Sequence, residues 1–214
     1  MSVKRYLLAA FSAAILILPV ISGCAYAANA QEEKSIARET LNNLQAAYNS
    51  EVNDAAMYLA FAEQAKREEY GSIASLFNAI AYAEQLHAGR FAALIEARGG
   101  TPKASMETTV VGDTKANLDV SLAAEREDHD VMYAAFLQKA EEEGDREAAA
   151  AFRDIQAAEA SHTAGYVKVL ENIEELKGLQ KDFFVCPTCG YVLDVLSVPQ
   201  CPVCGTDRMQ FKKR

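Results

Sequence analysis

The sequence predicts an all-α four-helix bundle with one long crossover, followed by a small β/loop domain. The chain of 214 residues is half apolar, lacks Trp and is rich in Ala, Leu and Glu, a composition typical of helical globular proteins. A shift of 75 residues aligns Phe77–His87 with Phe152–His162, and a shift of 74 aligns Asn43–Asp54 with Asn117–Asp128. This repetition indicates two helix pairs built on one plan. Four of the five cysteines lie in the last 29 residues, which indicates a separate small unit.

The first thirty residues are predicted to be an export signal. Lys4 and Arg5 precede an uncharged run from Leu7 to Val20, which is short for a membrane span and is followed by small residues. The Ile-Ser-Gly-Cys stretch that ends at Cys24 resembles a lipobox, in which this cysteine is lipidated and becomes the mature N-terminus. Two A-x-A triplets after it leave ordinary cleavage open, and an uncleaved N-terminal anchor is a third reading. We expect an exported bacterial protein, either periplasmic or a membrane-anchored lipoprotein.

Turn and cap residues separate the four predicted helices. Gly71 divides the first helix from the second, and Gly99–Pro102 ends the second. Gly144 divides the third from the fourth, with Asp145 as the predicted N-cap of the fourth. The stretch after Gly99–Pro102 is long for a helix–helix link, as a bundle with one crossover between two hairpins requires.

Two of the helices each carry a Glu-x-x-His pair, and the other two each carry a glutamate at a matching position. Side chains three residues apart project from the same face of a helix. Glutamates buried together would repel one another and stay protonated unless cations compensated them. A single Glu-x-x-His pair usually lies on a solvent-exposed face of a helix. Two such pairs in symmetric register, each with a matching glutamate, predict a dinuclear metal site. The predicted ligands are Glu51, Glu84, His87, Glu125, Glu159 and His162. We interpret the third histidine, His129, as a surface residue or a neighbour of the ligands.

Residues from Thr40 to about Leu176 resemble the erythrin domain of rubrerythrins, whose fold is ferritin-like. The stretches that carry the resemblance are Asn43-Leu44-x6-Glu51, Phe77 to His87, Asn117-Leu118-x6-Glu125 and Phe152 to His162. The resemblance implies two iron ions bridged by Glu84 and Glu159. It also implies that Glu51 and Glu125 each cap one iron, and that His162 ligates the second.

Two aspartates depart from the family pattern. The resemblance implies that the first iron moves between His87 in the reduced state and a carboxylate in the oxidised state. That carboxylate is normally Glu, but here it is Asp128, which is one methylene shorter. Asp54 stands where the family usually has a small neutral residue. By the internal symmetry we expect Asp128 beside His87 and Asp54 beside His162, both pointing into the bundle, with an exposed edge as the alternative for Asp54.

Two tyrosines, Tyr58 and Tyr133, lie about two turns beyond Glu51 and Glu125 on the same helix faces. Their phenols are placed to hydrogen-bond the terminal carboxylates or oxygen species, as neighbours of metal ligands commonly do. The spacing alone is equally consistent with amphipathic tyrosines at the bundle edge. The resemblance favours a role at the site.

The C-terminal cysteines form two copies of one turn, Cys-Pro-x-Cys-Gly. Cys186 and Cys189 belong to the first copy, and Cys201 and Cys204 belong to the second. Two intervening residues let both sulfurs of a copy meet one tetrahedral ion, and the Gly allows a tight turn around them. The doubled motif predicts a four-thiolate metal site, with disulfides as the alternative in an exported protein. Tetrahedral sulfur suits both zinc and iron.

Apolar residues around the first knuckle, Phe183-Phe184-Val185 and Tyr191, resemble rubredoxin and imply iron in an Fe(Cys)4 centre. The polar segment before them contains Gly178, so we expect a linker that lets the small domain sit away from its own bundle. The predicted parts are a signal peptide at 1–30, the ferritin-like bundle at 35–176, a linker at 177–182 and a rubredoxin-like domain at 183–214.

The resemblance implies a peroxidase that reduces hydrogen peroxide to water in oxidative-stress defence. An unidentified one-electron donor would refill the di-iron site through Fe(Cys)4, and a homodimer would let the relay of one chain serve the bundle of another. Alternatives are a ferroxidase or iron-handling protein, a dioxygen reductase at the same site, and a non-catalytic zinc-ribbon adaptor. The formal charge of −9 and the lack of a basic stripe argue against a nucleic-acid partner.

Overall fold

The computed structural model describes the backbone of residues 23–214 and the side chains of residues 39–214. Five α-helices and one π-helix make up the bundle, with α3, the π-helix and α4 running on as one rod. They are α1 (Gly23–Arg67), α2 (Gly71–Ala97), α3 (Thr114–Glu127), the π-helix (Asp128–Met132), α4 (Tyr133–Glu142) and α5 (Arg146–Glu171). The predicted four-helix bundle with one long crossover is confirmed.

Residues 1–22 of the predicted signal peptide lie outside the described part of the chain, as does the side chain of Cys24. The backbone of residues 23–30 belongs to α1. Among the described helices, none combines the length and the apolar character that crossing a bilayer requires.

Side-chain caps and left-handed glycines set the ends of the helices. The Asp145 carboxylate accepts a hydrogen bond from a backbone N–H in the first turn of α5, as predicted, and Asp113 caps α3 in the same way. Gly99 and Gly144 follow α2 and α4 with φ of 74° and 71°. A residue without Cβ adopts this conformation at little cost, so the chain turns there.

The π-helix accommodates one extra residue in the continuous helix formed by α3, the π-helix and α4. Tyr58 follows Glu51 by seven residues, whereas Tyr133 follows Glu125 by eight. A wide π turn absorbs the extra residue and brings Tyr133 onto the buried face in place of the half-buried Met132. The internal repeat is therefore broken at one position next to the predicted metal ligands.

Amide side chains of α1 hold the long crossover along the bundle. Three of them lie four residues apart on one face of the helix, and each accepts a hydrogen bond from a backbone N–H of the crossover. The pairs are Gln45 with Lys103 at 3.2 Å, Asn49 with Ser105 at 2.7 Å and Asn53 with Glu107 at 2.8 Å. The crossover therefore has no helix of its own but a defined path.

The bundle has two apolar cores, and the predicted metal ligands lie between them along α2 and α5. One core contains Phe61 and Phe77, and the other contains Phe91 and Phe152. Because apolar layers close both ends of the site, the carboxylates are shielded from water.

The C-terminal domain is a three-stranded antiparallel sheet with two cysteine turns. The strands are β1 (Phe184–Val185), β2 (Val192–Leu193) and β3 (Lys212–Lys213), in the order β2-β1-β3. Phe184 pairs with Leu193 on one side and with Lys213 on the other.

The segment before this domain is anchored to the bundle, contrary to the free linker expected from its composition. Gly178 donates its backbone N–H to the carbonyl of Glu69 at 2.8 Å, and Ser72 donates to the carbonyl of Leu179 at 2.9 Å. The hydrogen bonds to the turn between α1 and α2 satisfy the linker backbone, so the domain packs against the bundle of its own chain.

Candidate metal centres

Six buried side chains from four helices converge in the middle of the bundle. Each of the six is exposed by 2% or less, and their ligand atoms form two groups in which all lie within 4.8 Å of one another. One group is Glu51, Glu84, His87 and Glu159, and the other is Glu84, Glu125, Glu159 and His162. Glu84 and Glu159 belong to both groups, which is the position that bridging ligands of a two-metal site occupy. The structure thus brings together all six ligands predicted from the repeat.

The donor atoms of these groups fit metal ions better than they fit one another. Both carboxylate oxygens of Glu84 and both of Glu125 are buried without a hydrogen-bond partner. Nδ1 of His87 lies 2.8 Å from Glu84 Oε2 and 3.0 Å from Glu159 Oε1, yet it is not aligned for a hydrogen bond. Buried oxygens that lack partners are costly, and cations placed between them would remove that cost.

Burial also controls the charge of the terminal carboxylates. Burial raises the pKa of Glu51 well above its usual range; the charge of His87 opposes this rise and that of Glu84 adds to it. Burial and the neighbouring Glu159 raise the pKa of Glu125 in the same way. These carboxyls therefore hold protons when no cation is bound, and binding a cation releases the protons.

The two histidines face the carboxylates with one nitrogen and the C-terminal domain with the other. Nε2 of His87 donates to the backbone carbonyl of Cys189 at 2.9 Å, and Nε2 of His162 donates to that of Gly190 at 3.1 Å. A carbonyl oxygen only accepts, so Nε2 of each ring carries a hydrogen. Nδ1 of His162 lies within hydrogen-bond distance of Glu159 Oε2, at 2.8 Å. In the neutral ring the lone pair of Nδ1 would face a metal ion between the carboxylates. The sequence motif places these residues on one face but does not predict which nitrogen faces the site.

The four C-terminal cysteines form a second cluster. The Sγ atoms of Cys186 and Cys204 lie 3.5 Å apart, as do those of Cys189 and Cys201, and all four lie within 4.8 Å of one another. All four thiols are free, so the disulfide alternative is wrong for these cysteines. A hydrogen bond from Cys189 and backbone N–H groups lower the pKa of Cys186 to about 4, which favours the thiolate that a metal needs.

The two cysteine turns have the same backbone geometry. The N–H of Gly190 donates to the carbonyl of Cys186, and that of Gly205 donates to the carbonyl of Cys201, both at 3.0 Å. The two glycines have φ of 77° and 73°. The equal spacing of the two motifs therefore reflects equal folding around a common centre.

Comparison with known proteins establishes the family. The rubrerythrin family model matches residues 42–170. The chain belongs to the rubrerythrin family. It is 34% identical over 178 residues to rubrerythrin from Porphyromonas gingivalis, a match that covers 81% of this chain and 89% of the relative.

Solved structures agree with this assignment. The structure of nigerythrin in a mixed-valence state matches with a TM-score of 0.76 and 31% identity, covering 82% of this chain and 86% of nigerythrin. A bacterioferritin from Desulfovibrio desulfuricans, at 23% identity and a TM-score of 0.64, covers 69% of this chain and 92% of its own and shares the fold. As a rubrerythrin, the chain has a di-iron carboxylate site and an Fe(Cys)4 centre, as predicted from the sequence.

One of the two predicted tyrosines contacts a terminal carboxylate in this rubrerythrin. Tyr133 donates a hydrogen bond to Glu51, which lies on the other helix pair rather than on the tyrosine's own. Tyr58 is buried, and burial together with the negative charge of Glu125 raises its pKa well above the usual range. Each tyrosine therefore lies near the carboxylate of the opposite helix pair.

Tyr166 is a residue near the site that sequence reasoning missed. It is fully buried, its ring centroid lies 5.7 Å from that of Tyr58, and burial and the charge of Glu125 raise its pKa. Tyr166 follows Glu159 by seven residues and so lies on the same helix face, which could have identified it. The repeat did not, because its counterpart in the other helix pair is Phe91.

The two unusual aspartates lie near the site but outside both ligand groups. Burial and the charge of Glu84 raise the pKa of Asp54 to about 7, and burial and the charge of Asp54 raise that of Asp128 to about 9. Neither aspartate forms an ion pair with a histidine in the described part of the chain. The hydrogen bond that Asp54 accepts comes from Ser50 on its own helix, at 3.3 Å.

The expected place of Asp128 beside His87 and its ligand role both stay predictions. The aspartate arm is one methylene shorter than the glutamate of the family pattern. His129 is half-exposed and pairs with Asp130 at 2.6 Å, as a surface residue does.

Proposed function

We propose that this rubrerythrin is a peroxidase that reduces hydrogen peroxide to water and draws its electrons through Fe(Cys)4. The observation that carries the proposal is the contact between the two centres, in which the histidines of the carboxylate site donate to the backbone of the first cysteine turn. A storage protein or a ferroxidase has no need of such a contact. A structural zinc domain has no need of it either.

The reaction consumes two electrons and two protons for each peroxide and yields two waters. When bound, the iron pair supplies both electrons, and Fe(Cys)4 replaces them one at a time. The side chains of the protein position the metal ligands and supply the protons for peroxide reduction. Tyr133 fixes the carboxylate of Glu51 by its hydrogen bond, and the apolar cores on both sides keep bulk water away.

Asp54 and Asp128 are the proton holders in this proposal. The pKa of about 9 keeps the Asp128 carboxyl protonated at neutral pH, and the pKa of about 7 leaves Asp54 half protonated. Both carboxyls therefore have protons to give near the oxygen atoms that leave as water. A family glutamate bound as a ligand could not hold a proton in this way.

We also propose that the protein is exported, through the signal in residues 1–30, and works as a homodimer. The apolar run after Lys4 and Arg5 and the lipobox at Cys24 support export, and the family resemblance supports the dimer. Mass spectrometry of the mature protein from the membrane fraction distinguishes lipidation at Cys24 from ordinary cleavage. Light scattering of the purified protein measures its oligomeric state.

Iron content and electron counting test the proposal directly. The purified protein is expected to hold about three irons per chain, two in the carboxylate site and one bound by the cysteines. The fully reduced protein is then mixed with less than one equivalent of peroxide, and the oxidised centres are counted by absorption. Two oxidised irons per peroxide support the proposal. An iron core of many atoms per chain would contradict it and favour iron storage, and faster oxidation by dioxygen than by peroxide would favour a dioxygen reductase.

A further inference from the structure

We propose that Tyr133 supplies one electron to peroxide whenever the metal centres have only one electron left to give. The proposal rests on the proposed peroxidase and adds an electron source that belongs to the protein rather than to a metal. The phenol is oxidised to a tyrosyl radical in this step, and the next electron that Fe(Cys)4 receives restores it.

The metal centres hold an odd number of electrons, whereas peroxide takes two at a time. Each of the three irons carries one more electron in its ferrous than in its ferric state, so a fully reduced chain has three to give. The first peroxide consumes two of them. One electron is insufficient for the second peroxide, because peroxide that receives a single electron splits into hydroxide and a damaging hydroxyl radical. A second electron therefore has to come from a group close to the site.

Tyr133 is fully buried and lies against the carboxylate site. Its hydroxyl donates a hydrogen bond to Glu51, one of the two terminal carboxylates. Oxidation of a phenol releases its proton, and the carboxylate is already in place to accept it. The electron and the proton can therefore leave Tyr133 together, so that no uncompensated charge forms on the buried ring.

Phenylalanines surround the ring of Tyr133. The ring centroids of Phe91, Phe152 and Phe136 lie 5.9, 6.2 and 6.5 Å from that of Tyr133. Phenylalanine is much harder to oxidise than tyrosine, and the chain contains no Trp. The aromatic rings in contact with Tyr133 are therefore poor places for the radical to move to, and burial keeps water and small reductants away from it.

The other two buried tyrosines near the site lack such a proton acceptor. Tyr58 and Tyr166 contact each other, with ring centroids 5.7 Å apart, and belong to the other apolar core of the bundle. Neither of their phenols donates a hydrogen bond to a carboxylate in the described part of the chain. The geometry therefore distinguishes Tyr133 from two other buried phenols, which serve as matched controls.

The reaction with the second peroxide balances in electrons and protons. One electron comes from the last ferrous iron, and the other comes from the phenol of Tyr133 together with a proton. Asp128, a proton holder in the proposed mechanism, gives the second proton. The O–O bond breaks and two waters form, while the iron becomes ferric and the phenol becomes a neutral tyrosyl radical.

Stepwise titration of the fully reduced protein with peroxide tests the proposal. The reductant is removed first, and samples are frozen rapidly and measured by electron paramagnetic resonance. We expect no organic radical after one equivalent of peroxide and a tyrosyl radical after the second. Protein that contains ring-deuterated tyrosine should show a narrower signal, which identifies the radical as tyrosyl without any mutation. If no tyrosyl radical follows the second equivalent, the proposal is wrong.

Conservative variants assign the radical to one phenol. Tyr133→Phe keeps the buried ring and should lose the signal, whereas Tyr58→Phe and Tyr166→Phe should keep it. The double variant Tyr58→Phe/Tyr166→Phe leaves Tyr133 as the only fully buried phenol of the described chain and should still form the radical. Iron analysis verifies that each variant is loaded. A signal of wild-type size in Tyr133→Phe, or its loss in the double variant, would overturn the assignment.

A chain that starts with an even number of electrons is a further control. Cys186→Ser lacks the relay, so its reduced iron pair has two electrons and the first peroxide consumes both. We expect no tyrosyl radical at either addition, and a radical of wild-type size would contradict the electron count.

The first addition to the wild-type protein also separates this proposal from the one on which it rests. If the first equivalent fails to oxidise two irons, both proposals are wrong. If it oxidises two irons and the second equivalent gives no radical, the peroxidase stands and the role of Tyr133 is wrong.

Discussion

Nε2 of His87 donates a hydrogen bond to the backbone carbonyl of Cys189, at 2.9 Å, in the interior of the protein. Cys189 is also one of the four cysteines of the second metal cluster. Cys189 therefore contacts both centres: its thiol belongs to the cysteine cluster, and its backbone carbonyl accepts from His87, a ligand of the carboxylate site. The predictions below use this coupling and the separate ligand sets of the two centres.

Removing a shared carboxylate should empty the di-iron site without disturbing the cysteine site. We expect Glu84→Ala or Glu159→Ala to lower the iron content from about three to about one per chain, because both groups of ligands lose a member. Iron analysis and the visible absorption of Fe(Cys)4 measure the two centres separately. Glu171→Ala, an exposed glutamate on the same helix as Glu159, is the matched control and should keep all the iron. Loss of the Fe(Cys)4 absorption in a folded Glu84→Ala protein would show that the centres are not independent.

Breaking the cysteine site should stop turnover but not the first reaction. In Cys186→Ser or Cys201→Ser the chemically reduced protein should still react once with peroxide, whereas steady turnover with a protein donor should fall at least 100-fold because the relay is lost. Rapid-mixing absorption measures the first reaction, and donor oxidation measures the second. Thr188→Ser, a conservative change at an exposed position of the same turn, should leave both unchanged. Full turnover in Cys186→Ser would mean that electrons enter the bundle directly.

Loss of the phenol that holds Glu51 should slow the reaction while keeping the fold. Tyr133→Phe retains the buried ring but removes the hydrogen bond to the carboxylate, and such changes next to metal ligands typically cost about 10-fold or more. Single-turnover oxidation of the reduced protein by peroxide measures the effect. Tyr58→Phe makes the same chemical change near Glu125 and tests whether the two ends of the site are equivalent.

Removing the proton holders should slow peroxide reduction unequally. Asp128→Ala is expected to slow oxidation of the reduced site roughly 100-fold or more, in the range typical of general acid–base groups. Asp54→Ala should have a smaller effect, because its pKa of about 7 leaves it only half protonated at neutral pH. Asp130→Ala, an exposed aspartate in the same π-helix, is the control. If Asp128→Ala oxidises at the wild-type rate, this residue has no part in the mechanism.

The metal-free protein should be more stable at pH 5 than at pH 8. The pKa values of Asp54 and Asp128 are raised to about 7 and about 9, and those of Glu51 and Glu125 are also raised. A group with a raised folded-state pKa stabilises the fold below its unfolded pKa, and this contribution is lost as the pH rises through the folded value. The buried histidines, whose pKa values the neighbouring glutamates raise against the opposing effect of burial, act in the same direction.

Thermal unfolding of the metal-free protein across this range measures the effect, and we expect the Tm to fall by several degrees. Asp128→Asn, which cannot ionise, should flatten the curve between pH 7 and pH 8. A Tm that rises over the same interval would contradict the assignment of raised pKa values.

Sequence periodicity predicts the ligand set because the same three ligand positions, two Glu and one His, recur at helical spacing in both halves of the chain. Glu84 and Glu159 share a face with His87 and His162 in any regular helix, so the repeat alone brings them together. The repeat does not predict that Tyr133 faces the site. The π turn before Tyr133 shifts the helical register by one residue, and no marked change in composition signals it.

The place of the small domain was beyond the reach of sequence patterns for a different reason. Composition predicts a free linker at Gly178, because it does not reveal that a carbonyl in the α1–α2 turn accepts from that residue.

The π turn also gives the two halves of the site different surroundings. Glu51 and Glu125 occupy equivalent places in the repeat. Glu51, however, accepts a hydrogen bond from the Tyr133 hydroxyl. Tyr133 faces the site because the π turn before it contains one residue more than the equivalent segment of α1. One extra residue in one of the two helix pairs is sufficient for this difference. Two metal positions with the same ligands can in this way diverge in chemistry while their coordinating residues remain unchanged.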